Sequence, residues 1–150
     1  MNGNNKPSRN GVSVIDGNTV WIEGNCISNI AARCMPGAID IEPNGTNSQI
    51  ENIYVKSNYI NRSRGRVGAI SLVIGNNACA ANNVQINGNN IEFMPTEQGV
   101  TPRAFHFKMK SSAKSNDVIV TNNTIGSGIN HFFFDADSIN NFILSNNTGN

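Results

Sequence analysis

Two carboxylates, Asp40 and Glu42, stand two residues apart in the stretch Ala38 to Glu42. Apolar and polar residues alternate there, the pattern of a strand with one buried face. Side chains of a strand point to alternate faces, so Ile39 and Ile41 share one face and Asp40 and Glu42 the other. The strand rise sets the two carboxylates about 7 Å apart. A pair near that separation suits the acid and the base of an inverting glycoside hydrolysis. The plainer reading of the same pair is two solvated carboxylates on an outer face. Asp40 and Glu42 are the candidate catalytic residues.

The candidate substrate-binding residues are Arg64, Arg66, Arg103, His106, Lys108 and Phe133. An elimination at a uronate needs a base beside the α-proton and a cation to neutralise the sugar carboxylate. The arginines suit that second role, because a guanidinium binds carboxylate through two parallel bonds. Each of these cations is equally suited to be a solubilising surface charge. Phe133 lies between Phe132 and Phe134; if those two face the core, Phe133 faces out and could stack on a sugar ring. No metal or cofactor is expected. A calcium shell takes six to eight oxygens, and Asp40 with Glu42 supplies too few. The cysteines Cys26, Cys34 and Cys79 form no zinc spacing. A Cys26–Cys34 bridge is compatible with the sequence, as are unpaired thiols.

These residues are placed by two interleaved repeats. Segments at Gly11–Val14, Ala38–Ile41, Ala69–Leu72, Ala104–Phe107 and His131–Phe134 alternate in polarity. Their buried sets would be Val12/Val14, Ile39/Ile41, Ile70/Leu72, Phe105/Phe107 and Phe132/Phe134. The outward column would read Ser13, Asp40, Ser71, His106, Phe133, with Ile15, Glu42, Val73, Lys108 and Asp135 beside it. Between these segments a second template recurs: aliphatic, any, aliphatic, two polar residues, Asn, any, usually Ile. It begins at Val20, Ile53, Val84, Val118 and Phe142, and its asparagines are Asn25, Asn58, Asn89, Asn123 and Asn147. Spacings of about two to three dozen residues are those of stacked-strand solenoids. One such unit cannot bury its own apolar face, but parallel stacking gives a continuous core. The asparagine falls where the chain must bend between strands. It tolerates the left-handed region, and its amide can bond to the copies above and below.

This pattern resembles the right-handed parallel β-helix of the pectin-lyase-like superfamily, and the segment Pro36–Asn44 resembles one common in bacterial and phage β-helix proteins. The resemblance spans roughly residues 11–149. It implies an all-β solenoid of about four to five rungs over residues 1–150, with the asparagine turn joining the second strand of each rung to the third. It further implies a cleft over the first strands. Asp40 and Glu42 would then project into a groove between the loops Ser28–Pro36 and Asn61–Val67, with Arg64 and Arg66 holding an anionic group. Polysaccharide is the implied ligand, bound and cleaved by a lyase or glycoside hydrolase at an extracellular or virion surface. A trimer is implied if the chain is tailspike-like. The same fold also serves non-catalytic receptor-binding, adhesion and structural modules.

Composition agrees with a narrow solenoid. Asparagine makes up 28 of 150 residues, charged residues are 14% and the formal net charge is +1. No basic stripe marks a nucleic-acid binder, and no apolar run is long enough for a membrane helix. Residues 1–15 lack the apolar core of a signal peptide. The last template stops on its asparagine turn without a polar capping unit. The expectation is a piece of a longer protein, or a protomer whose ends are covered by neighbours.

Overall fold

A computed structural model describes residues 10–30, 37–63, 68–75, 79–94, 101–109, 115–136 and 139–149. Each repeat folds into one coil of three strands. The first coil holds β1 (Val12–Val14), β2 (Gly17–Glu23) and β3 (Cys26–Ser28). The second holds β4 (Ile39–Ile41), β5 (Ile50–Lys56) and β6 (Tyr59–Asn61), and the third β7 (Ile70–Ile74), β8 (Ala81–Asn87) and β9 (Asn90–Phe93). The fourth holds β10 (Arg103–Met109), β11 (Ser115–Thr121) and β12 (Thr124–Ile125). The fifth holds β13 (Asn130–Ala136), β14 (Ile139–Ser145) and β15 (Thr148–Gly149). The described residues contain no helix.

Corresponding strands stack in parallel into three five-stranded sheets, β1-β4-β7-β10-β13, β2-β5-β8-β11-β14 and β3-β6-β9-β12-β15. The fold is an all-β parallel β-helix. The expectation of four to five rungs needs a distinction. Five strands stack in every sheet, but only the middle three coils have neighbours on both sides, so the enclosed solenoid is about three turns.

The registers follow the repeats. Ile39 pairs with Ile70, Ile70 with Phe105, and Phe105 with Phe132, so apolar residues stack in columns down the core. Ile39, Ile41, Ile70, Leu72, Phe105 and Phe107 are fully buried. Phe105 and Phe132 stack with ring centroids 5.1 Å apart, while Val12 and Phe132 are half-buried rather than fully enclosed. The side chain of Phe134 lies outside the described residues. Close stacking restricts residue size just before the first strands. A Cβ on Gly37 would lie 1.8 Å from the Gly68 carbonyl oxygen, so only glycine fits.

The template asparagines form one ladder. Asn25 donates from Nδ2 to Asn58 Oδ1 (3.0 Å), Asn58 to Asn89 (2.9 Å), Asn89 to Asn123 (2.9 Å) and Asn123 to Asn147 (2.7 Å). Each of these acceptor oxygens also takes the backbone N–H of the asparagine in the preceding coil. Second donations run from Asn58 to the Ile22 carbonyl and from Asn89 to the Val55 carbonyl. Asn58, Asn89 and Asn123 are buried. The bend itself is made one residue earlier than expected. Gly24, Ser57, Gly88, Asn122 and Asn146 carry positive φ, and the ladder asparagines do not. The left-handed residue turns the chain; the following asparagine fills the turn with hydrogen bonds.

The two ends of the core differ. Val14, Ile22 and Ile27 of the first coil are buried, whereas Leu144, stacked on Val120 in the fifth, is 46% exposed.

Candidate functional site

The first sheet assembles the expected column. Ser13 pairs with Asp40, Asp40 with Ser71, Ser71 with His106, and His106 with Phe133. Lys108 pairs with Val73 on one side and Asp135 on the other. Alternation along each strand fixes this phase, because the opposite face is filled by the aliphatic and aromatic core.

The column is not solvated as expected. Asp40 is 3% exposed, Ser71 0% and His106 4%. Part of the cover over Asp40 is Asn10, whose side-chain amide donates to Asp40 Oδ2 at 2.9 Å and to Ser13 Oγ at 3.0 Å. Asn10 Oδ1 in turn accepts the Gly37 N–H at 3.3 Å, tying the first coil to the second. Ser71 is short and sits in register between Asp40 and His106.

The two carboxyl groups meet instead of standing about 7 Å apart, the separation a regular strand would give. β4 ends at Ile41, one residue before Glu42. Its N–H still donates to the Val14 carbonyl at 3.0 Å, while its side chain hydrogen-bonds Asp40. Two ionised carboxylates in contact repel, so one is driven to keep its proton. That one is Asp40. Burial, then the charge of Glu42, push its pKa up to about 7, against the Asn10 hydrogen bond, which pulls it down. Asp40 Oδ1 has no other hydrogen-bond partner among the described residues.

The remaining candidates divide. Arg103 opens β10 half-buried, and its carbonyl accepts the Ala69 N–H at 2.9 Å. Lys108 is half-buried near the other end of β10. His106 lies two strands from Asp40, with Ser71 between them. That order does not make a nucleophilic triad, in which histidine must bridge the hydroxyl and the carboxylate. Arg64 and Arg66 lie outside the described residues, as do the side chain of Phe133, Cys34 and most of both expected loop walls. Among the described residues no group of three or more His, Cys, Asp or Glu converges as a metal site would require.

A second polar surface escaped the sequence reading. On the outer face of the β2 sheet, Thr19, Asn52, Asn83, Asp117 and Asn141 all take positive φ at the same strand position. Asn83 donates to Asn52 Oδ1 at 2.7 Å, Asn52 to Asn18 Oδ1 at 3.1 Å, and Gln85 to Asn83 Oδ1 at 2.9 Å. Beside them Trp21 stacks on Tyr54, ring centroids 4.2 Å apart. Lys56 Nζ lies 4.9 Å from the Trp21 ring and 4.7 Å from that of Tyr54. A signal existed: Thr, Asn or Asp directly precedes the first aliphatic residue of every template.

No family model, curated protein or solved structure matches this chain.

Proposed function

We propose that this chain is a polysaccharide-binding β-helix of the right-handed, pectin-lyase-like kind, acting at an extracellular or virion surface, with the Asp40–Glu42 pair as its reactive centre. The observation that carries the reading is the carboxyl pair, in which Asp40 keeps its proton up to about pH 7 beside a second carboxylate. A carboxyl that keeps its proton near neutral pH, with a second carboxyl beside it, is the usual equipment for acid and base roles on a glycosidic bond. In hydrolysis Asp40 would give its proton to the glycosidic oxygen as the C–O bond breaks. Glu42 would take a proton from the water that forms the new bond to the sugar carbon. Arg103 and Lys108, on the next-but-one strand, are the described cations nearest in register for an acidic sugar.

A non-catalytic receptor-binding or adhesion module is the second reading, and a specific observation favours it. Asp40 is 3% exposed and already bonded to Glu42. Carboxyls in contact leave no room for a bond and a water between them, so catalysis requires Glu42 to swing away.

The test is a polysaccharide panel, with new reducing ends reporting hydrolysis and unsaturated-uronate absorbance reporting elimination. Cleavage abolished by Asp40→Asn or Glu42→Gln, with cooperative unfolding retained and stability not lowered at the assay pH, supports the catalytic reading. Binding without cleavage supports the module. Neither binding nor cleavage removes both.

A further inference from the structure

The outer face of the β2 sheet carries a combination that the Asp40–Glu42 centre does not use. Trp21 is the only tryptophan of the chain and is 55% exposed. Its ring is held by Tyr54 and Lys56 rather than by the core. Asn52 and Asn83, on the strands stacked beside it, are fixed twice over. Their backbones are locked in the left-handed region, and their amides are bonded in a line.

We infer that Trp21, Tyr54, Lys56, Asn52 and Asn83 form a glycan-binding platform, separate from the first sheet, that takes a polysaccharide chain lying across the coils. The ligand chemistry follows from the parts. A pyranose offers an apolar C–H face to an aromatic ring and hydroxyls at its edge, and an exposed aromatic with a polar surround matches both. A carboxamide has two N–H donors and two acceptor sites. The ladder uses one of each on Asn52, in its bonds to Asn18 and from Asn83, which among the described residues leaves one of each for sugar hydroxyls. The amides are pre-aligned, so little ordering is left for binding to drive.

Other occupants fit less well. A nucleic acid would stack on the same rings but needs a run of cations for its phosphates. Here Lys56 is one cation, and Glu23 is its neighbour in register on β2. A protein partner would want a broader apolar centre, whereas Gln85 separates the two rings from Ile119 and Ile143 in their column, and polar columns from Asn52 to Asn83 and from Glu23 to Asn87 flank them. The inference rests on the polysaccharide reading but assigns it to a different sheet, so the two can fail separately.

The experiment uses affinity electrophoresis in gels containing xylan, cellulose oligosaccharides, polygalacturonate or alginate, together with emission from Trp21 as its own reporter. The expected result is retardation by at least one glycan, with a saturable change in Trp21 emission. Trp21→Ala, and the milder Lys56→Gln, should weaken retention at least tenfold, while Tyr59→Phe, on β6 of the third sheet, leaves it in place. The neutral and uronate arms show whether Lys56 serves a hydroxyl or a carboxylate. Retention that survives Trp21→Ala and Lys56→Gln but is lost in Glu42→Gln overturns the platform and leaves the first-sheet reading. No retention on any glycan overturns both.

Discussion

The inner and outer asparagine columns use the same side chain at nearly the same bond length. Asn58 donates to Asn89 at 2.9 Å in the turn, and Asn83 donates to Asn52 at 2.7 Å on the outer face. Their surroundings differ. Asn58 and Asn89 are buried, and each amide also satisfies backbone groups of the neighbouring coil. Asn52 and Asn83 are half-buried at a solvated face, where water replaces any bond that is lost. A hydrogen bond counts by what happens to its partners when it is removed, and only the inner column strands its partners away from water. The inner column is therefore structural, and the outer column is available for recognition.

The core that both columns flank sets the scale of stability. Phe107 is fully buried and packs edge-on against Phe142, centroids 5.6 Å apart. Phe107→Ala should cost about 3–5 kcal/mol in chemical denaturation. A loss under 1 kcal/mol would mean that the aromatic stack is not a packed core.

The inner ladder comes next. Asn89→Ala removes the acceptor for the Asn58 N–H and the donor to the Val55 carbonyl. At about 1–3 kcal/mol for each stranded group, the loss should be roughly 3 kcal/mol. Asn89→Gly should be no better, because Asn89 is not among the left-handed residues. Recovery with glycine would break the contrast between the columns.

Asp40 is a buried polar group that meets its needs by protonation rather than by a ladder. Folding lifts its pKa from 3.8 to about 7. Below about pH 4 both states hold the proton. Between about 4 and 7 the unfolded chain releases it and the folded chain keeps it, so stability falls as pH rises and levels off above 7. The slope is at most about 1.4 kcal/mol per pH unit. Asp40→Asn should flatten this decline and stabilise the protein at pH 8, by roughly 1–3 kcal/mol on the same scale. Melting curves at several pH values would show it, and an unchanged slope in the variant would assign the titration to another group.

The outer column should respond least. Asn83→Ala loses part-buried bonds at a solvated face and places alanine at φ 52°, which should cost about 0.5–1 kcal/mol. Asn83→Gly relieves the backbone and should lie within about 0.5 kcal/mol of the parent. A cost from glycine comparable to that at Asn89 would make the outer ladder structural too.

Much of the fold was legible along the chain. The spacing of Asn25, Asn58, Asn89, Asn123 and Asn147 gives the ladder, and the alternation in Ala38–Ile41 and its copies gives the registers. Both are periodic because each coil meets only its neighbours, so the same local rule is written once per coil. The outer amide column was less visible, since asparagine is abundant throughout and no single stretch separates the two sets.

The sequence by itself determined the three-sheet coil, the buried aliphatic columns and the partnership of Asp40, Ser71 and His106 in one line. Only the tertiary structure decided that this line is covered, that the Glu42 side chain meets Asp40, and that the bend residue precedes the ladder asparagine. Repetition along the chain encodes which side chains share a column. What covers a column depends on contacts such as Asn10 with Asp40, thirty residues apart and outside the repeat.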